Sequence, residues 1–169
     1  VRISGEKAVE VADRVFRSPS GRKLADCKSH TIHYGYVYDG EQMIDEVLAL
    51  LMRGPKSFTT EDTVELHCHG GVFVVKRVLD TVLKNGAQPA EPGEFTKRAF
   101  LGGRIDLSQA EAVMELIQSQ NEYALAASVR QLKGDVSDKI RELRGEILHQ
   151  LAFIEAALDD PEHYSLDGY

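Results

Sequence analysis

The chain has 169 residues, which is the size of one ordinary domain or of a smaller domain with an appended part. Its composition, 43% hydrophobic and 28% charged, excludes an intrinsically disordered chain. The formal net charge of -7 argues against a broad basic surface for nucleic acid, and no apolar run approaches the length of a membrane span.

The first predicted elements alternate between strand and helix. Alternating apolar residues predict a strand end at residues 1–4, and apolar residues at helical spacing predict an amphipathic helix over residues 6–16. Residues 31–38 are rich in β-formers and predict a strand, with Asp39-Gly40 as its two-residue hairpin turn. The returning strand is predicted over residues 43–52, although its apolar run also suits a helix.

A loop, a strand and a helix follow. Residues 54–60 contain Gly, Pro, Ser and Thr, which are typical of a loop. Alternation over residues 63–68 predicts a strand, and residues 72–84 predict a helix that Asn85-Gly86 ends.

All of the net charge lies in the last part of the chain. Residues 108–169 contain 12 acidic and 5 basic side chains, whereas residues 1–107 contain 15 of each. This difference in electrostatic character indicates two structural units. Both Ser108-Gln109-Ala110-Glu111 and Ser119-Gln120-Asn121-Glu122 match a capping box, which predicts one helix near residues 108–118 and another from about residue 120.

The second of these helices is predicted to be long. Apolar residues recur about every 3.67 residues between residues 125 and 158. The pattern fits one helix of roughly 57 Å, or two helices in line if Gly134 interrupts it. Asp159-Asp160-Pro161 is predicted to end it.

Two clusters suggest chemistry without specifying it. On a strand, His67 and His69 point the same way and could bind a metal, with a third ligand from His30, His33 or a carboxylate. Structural histidines are the commoner explanation of such a pair. Gly70-Gly71 could present main-chain N–H groups to an anion, and a plain tight turn explains it equally well.

Three isolated charges also stand out. Arg2 and Glu65 alternate with apolar neighbours on predicted strands, and Arg104 lies in a Gly-rich stretch. By spacing alone, each is more often a surface charge than part of a site. Nothing resembles a Ser-His-Asp or Cys-His arrangement.

Four strings of residues, in order, carry a resemblance to a known family. They are residues 2–5 (RISG), 55–71 (PKSFTTEDTVELHCHGG), 92–101 (PGEFTKRAFL) and 104–112 (RIDLSQAEA). Together they closely resemble the N-terminal part of the MnmE (TrmE) family of tRNA modification GTPases. The resemblance extends over essentially the whole chain.

The resemblance implies an α+β fold. Residues 1–107 would form a mixed-sheet, aminomethyltransferase-like domain that binds 5-formyltetrahydrofolate or a related tetrahydrofolate and forms a homodimer. Residues 108–169 would begin a helical domain. The family's folate contacts correspond to Arg2, Glu65 and Arg104, with no catalytic residue and no metal site in this chain. Arg104 stands where the family often has Lys, and a further family Lys near the far C-terminus has no counterpart.

The resemblance also implies a role for the longer protein. With its partner MnmG, an FAD protein, the family modifies carbon 5 of the wobble uridine (U34) of tRNA, using a one-carbon unit from folate and GTP hydrolysis aided by potassium and magnesium. The P-loop is absent here, so we expect an N-terminal fragment that does not hydrolyse GTP. Two cysteines and no membrane span indicate a cytoplasmic protein. A free-standing, folate-dependent aminomethyltransferase-like enzyme is the alternative.

Overall fold

The computed structural model describes residues 1–159. The chain divides into two compact units, residues 1–105 and 106–169. The helix end predicted at Asp160 and Pro161 lies outside the described residues.

The first unit is built on one five-stranded sheet with the strand order β1-β5-β4-β3-β2. The strands are β1 Arg2–Ser4, β2 Phe16–Arg17, β3 Thr31–Asp39, β4 Gln42–Met52 and β5 Thr63–His67. The predicted α+β class is confirmed. The expected mixed sheet is wrong, because every neighbouring pair is antiparallel. The helix that follows β1 leads to a strand at the opposite edge, so no βαβ unit pairs parallel strands.

The β3–β4 hairpin turns one residue later than predicted. Asp39 pairs with Gln42, so the turn residues are Gly40 and Glu41 rather than Asp39-Gly40. Gly40 adopts a left-handed φ of 62°, which glycine tolerates without a steric cost. A β-bulge shifts the register next to Val37, and this shift determines which residues close the hairpin.

Helices cover one face of the sheet and leave the other face open. The first unit contains a short 3₁₀ turn at Leu24–Asp26 and the helices α1 Ala8–Val15, α2 Val72–Lys84 and α3 Glu94–Leu101. Apolar residues on α1 and α2 pack with inward-facing strand residues in one core. The largest buried side chains of the core are Val15, Leu24, Val37, Leu51, Val64, Leu66, Val78 and Val82.

Alternation along the strands determines what the open face carries. Val64 and Leu66 point into the core and are fully buried, whereas Glu65 between them points the other way. Ile32 and Leu48 lie on this open face and are exposed. The face therefore carries exposed apolar side chains together with the carboxylates of Glu65 on β5 and Glu46 on β4.

The second unit is helical, with α4 Leu107–Gln118, α5 Glu122–Lys133 and α6 Asp135–Asp159. Both helix caps predicted from the sequence are wrong by two residues. Asp106, not Ser108, caps α4, and its capping box is completed by Gln109. Asn121, not Ser119, caps α5 by accepting a hydrogen bond from the N–H of Ala124.

Gly134 separates α5 from α6. Its φ of 100° is the left-handed conformation that commonly ends a helix. The segment therefore forms two helices, as one of the two alternatives predicted, and the prediction of one continuous helix is wrong. Ile140, Leu143 and Ile147 on α6 are each more than half exposed. Within residues 1–159, none of the helices has the length and apolarity needed to cross a membrane.

Candidate functional site

Pairing between β1 and β5 brings two of the predicted site residues together. Arg2 lies directly opposite Glu65 in the antiparallel register, so both side chains project from the same face. The Nε of Arg2 donates a hydrogen bond to Oε1 of Glu65 at 2.7 Å. Only about a fifth of the Glu65 side chain is exposed, which makes this pair less screened by water than a surface ion pair.

Phe58 brings the third predicted residue to the same place. The guanidinium carbon of Arg2 lies 4.9 Å from the centre of the Phe58 ring, and that of Arg104 lies 4.7 Å from it. Both distances are typical of cation–π contacts. Arg104 also donates to the main-chain carbonyl of Phe58 at 3.1 Å. The structure thus places Arg2, Glu65 and Arg104 around one aromatic ring.

These residues line an open cleft of about 560 Å³. This volume falls within the range of small-molecule sites in proteins, roughly 300–1,000 Å³. Leu50 and Met52 of β4 provide an apolar surface, and the polar groups include Arg2, Glu65 and Arg104. An apolar surface with a few fixed polar groups suits a flat, partly polar organic ligand.

Glu65 is held ionised. Burial acts to raise the pKa of Glu65, but hydrogen bonds from His67 and Arg2 outweigh burial and lower the pKa below its usual value. His67 Nε2 lies 3.2 Å from Oε2 of the same carboxylate. Each carboxylate oxygen can accept more than one hydrogen bond, so Glu65 retains acceptor capacity toward the cleft.

A polar network that sequence reasoning missed holds the Phe58 loop in place. Ser4 on β1 contacts Thr59 Oγ1 at 2.5 Å and donates to Glu61 at 3.0 Å. Arg98 of α3 donates to Glu61 at 3.1 Å. Ser57, which precedes Phe58, donates to the main-chain carbonyl of Glu61. No spacing rule predicts such a network, because its members come from three separate parts of the chain.

The two histidines do not form a shared metal site. His67 contacts Glu65, whereas His69 is held by Asp45 of β4 through its main-chain N–H at 2.8 Å and its Nδ1 at 2.9 Å. In the part of the chain that the structure describes, no group of three or more His, Cys, Asp or Glu side chains is arranged to hold a metal ion. Cys27 and Cys68 are both free thiols.

We expect the His69–Asp45 pair to make stability depend on pH. The hydrogen bond with Asp45 raises the pKa of His69 above 6.5. Burial acts to raise the pKa of Asp45, but hydrogen bonds from His69 lower it below 3.8. The contribution from His69 is therefore complete below about pH 6.5 and is lost as the pH rises through its raised pKa, while that from Asp45 is lost in acid.

Urea denaturation of the wild type and of His69→Gln measures this effect. The wild type should be more stable than the variant at about pH 5.5, and the difference should shrink at about pH 8. Asp45→Asn should show the same pattern. An equal difference at both pH values would contradict the assignment.

The fold and the cleft together define a class of protein. It is an α+β unit with an open, arginine-lined cleft on an antiparallel sheet, followed by a separate helical unit. Residues 1–104 match the family described as GTP-binding protein TrmE N-terminus, and residues 107–168 match the MnmE helical domain. The chain belongs to the MnmE (TrmE) family, as the resemblance predicted.

Curated relatives agree with this assignment. The chain is 56% identical to the tRNA modification GTPase MnmE of Lachnoclostridium phytofermentans, over 100% of this chain and 37% of that protein. It is 56% identical to the same-named protein of Geobacillus kaustophilus and 47% identical to that of Bacillus subtilis, in each case over 96% of this chain and 36% of the relative. The chain thus spans little more than a third of the length of these relatives.

Proposed function

We propose that the first unit binds a tetrahydrofolate derivative, such as 5-formyltetrahydrofolate, in the cleft. The observation that supports this most is the convergence of Arg2, Glu65 and Arg104 around Phe58, although 102 positions of sequence separate the first from the last. These are the residues that the family resemblance assigns to folate contacts.

The donor and acceptor chemistry of the cleft fits this ligand. The amino-pyrimidinone edge of a pterin presents adjacent N–H donors, which an ionised carboxylate such as Glu65 can accept as a charge-assisted pair. Arg2 orients that carboxylate, and Arg104 supplies a cation for polar or carboxylate groups. The apolar surface of Leu50 and Met52 can cover a flat ring. When bound, the folate would supply the one-carbon unit.

We further propose that residues 1–107 form a dimerisation domain and that residues 108–169 begin a helical domain. The open sheet face supports self-association, since Ile32, Tyr34 and Leu48 are each at least 44% exposed there. The exposed apolar residues of α6 similarly suit additional helices of a longer protein.

For the whole protein we propose the activity named in its relatives, a tRNA modification GTPase. It would act with MnmG on carbon 5 of U34 in the cytoplasm, and GTP, potassium and magnesium would bind outside the residues of this chain. The residues described here would bind folate and assemble the dimer.

Isothermal titration calorimetry with 5-formyltetrahydrofolate tests folate binding. We expect saturable binding by the wild type, with one ligand per cleft. A dimeric, folded protein that releases no heat and shows no ligand-induced rise in melting temperature would exclude the proposal. Turnover of an aminomethylated donor by the protein alone would instead favour the aminomethyltransferase-like alternative.

A further inference from the structure

The charges that line the cleft are unbalanced. In the part of the chain that the structure describes, its ionisable side chains are three cations and one anion: Arg2, Lys56, Arg104 and Glu65. The Arg2 guanidinium is matched by the Glu65 carboxylate at 2.7 Å. Within residues 1–159, no carboxylate pairs with Lys56 or Arg104. The cleft therefore has two positive charges available to a ligand.

Both of these charges are tied to one loop. Lys56 belongs to the loop between β4 and β5, and Arg104 is bound to the carbonyl of Phe58 in the same loop. The loop is well fixed: the main-chain N–H of Gly54 donates to Asp62, and the neighbour of Lys56, Ser57, is buried. Glu65 lies instead on the sheet. The cleft thus has an anionic acceptor on the sheet and, at the β4–β5 loop, the two cations Lys56 and Arg104, which we call the cationic wall.

We propose that Lys56, together with Arg104, binds the carboxylates at the glutamate end of the folate, while the pterin end lies on Glu65. This inference rests on the proposed folate binding and adds a residue and an orientation to it. A folate with one glutamate presents two carboxylates, and each further γ-linked glutamate adds one more. The cationic wall therefore favours poly-γ-glutamylated folates over shorter forms.

The orientation follows from matching charge to charge. A pterin edge directed at Lys56 and Arg104 would present N–H donors to groups that can only donate. Carboxylates directed at Glu65 would place like charges together, which is unfavourable. The proposed orientation gives acceptors to the N–H donors of the pterin and cations to the carboxylates.

Calorimetry with three ligands tests the inference on the purified protein. The ligands are 5-formyltetrahydropteroate, which lacks glutamate, 5-formyltetrahydrofolate, and its triglutamate. The variant is Lys56→Gln, and Lys76→Gln on α2 is the control, because Lys76 is an exposed lysine that does not line the cleft.

We expect the wild type to bind the triglutamate most tightly and the pteroate most weakly. Lys56→Gln should weaken binding of the two glutamate-bearing ligands by about fivefold, as expected for a partly exposed ion pair, and leave pteroate binding unchanged. Unchanged pteroate binding also shows that the variant is folded. Lys76→Gln should bind all three ligands as the wild type does.

Two results would overturn the inference while leaving the proposed function intact. In the first, Lys56→Gln binds all three ligands as the wild type does. In the second, it weakens all three equally, which would place Lys56 at the pterin end or in a structural role. A wild type that binds none of the three would overturn the proposed function and this inference together.

Discussion

Replacing Glu65 with alanine should weaken binding of 5-formyltetrahydrofolate by roughly 100-fold, about 3 kcal/mol. Among the described residues, this carboxylate is the only anion lining the cleft, so no other charged acceptor in residues 1–159 can take its place there. Its removal also leaves the Arg2 guanidinium without the partner that holds it at 2.7 Å. Calorimetric titration of the two proteins measures the change in Kd.

Two further variants separate charge from shape. Glu65→Gln keeps the side-chain length and one acceptor oxygen but loses the charge, so we expect an intermediate loss of about tenfold. Glu6→Ala removes an exposed carboxylate outside the cleft and should bind like the wild type. Equal Kd values for the wild type and Glu65→Ala would remove Glu65 from the site.

The second large effect is expected on stability. A Cβ added at Gly35 of β3 would lie 2.5 Å from two ring atoms of Phe16 and 2.6 Å from the main-chain oxygen of Arg17. Phe16 is buried in the core, and a main-chain atom cannot move aside cheaply. Gly35→Ala should therefore lower the free energy of unfolding by about 3 kcal/mol, in line with overpacked cores.

Urea denaturation provides the measurement for Gly35→Ala. Gly70→Ala is the matched control, because a Cβ at Gly70 meets nothing within 4 Å, and its effect should stay within about 0.5 kcal/mol. If both variants unfold at the wild-type midpoint, the close approach of β2 to Gly35 is not rigid.

Local sequence patterns correctly predict the helices and strands whose ends depend on interactions between nearby residues. The bounds of α2, residues 72–84, agree with the prediction, since helical periodicity and the Asn85-Gly86 stop are both local signals. The cap predicted for α4, Ser108, is wrong because Asp106, two residues earlier, also suits a cap. The structure favours Asp106, whose carboxylate accepts from Gln109 at 2.9 Å while Gln109 Oε1 accepts from the Asp106 N–H.

The site depends on interactions that no local pattern contains. From spacing alone, Arg2, Glu65 and Arg104 are predicted to be ordinary surface charges. Only the family resemblance assigns them to one site. Their proximity follows from the β1–β5 register and from Phe58, both of which join distant parts of the chain. Lys56 carried no signal of its own, because an exposed lysine in a loop is common.

The position of β1 at the sheet edge affects how the molecule is made. Among the described strands its only neighbour is β5, and 63 positions separate Arg2 from Glu65. During synthesis the first strand must therefore wait until β5 has left the ribosome, and a contact of such sequence separation forms slowly. Arg2 therefore lacks its Glu65 partner until β5 has been made, so a ligand that needs this pair would bind only after that point of synthesis.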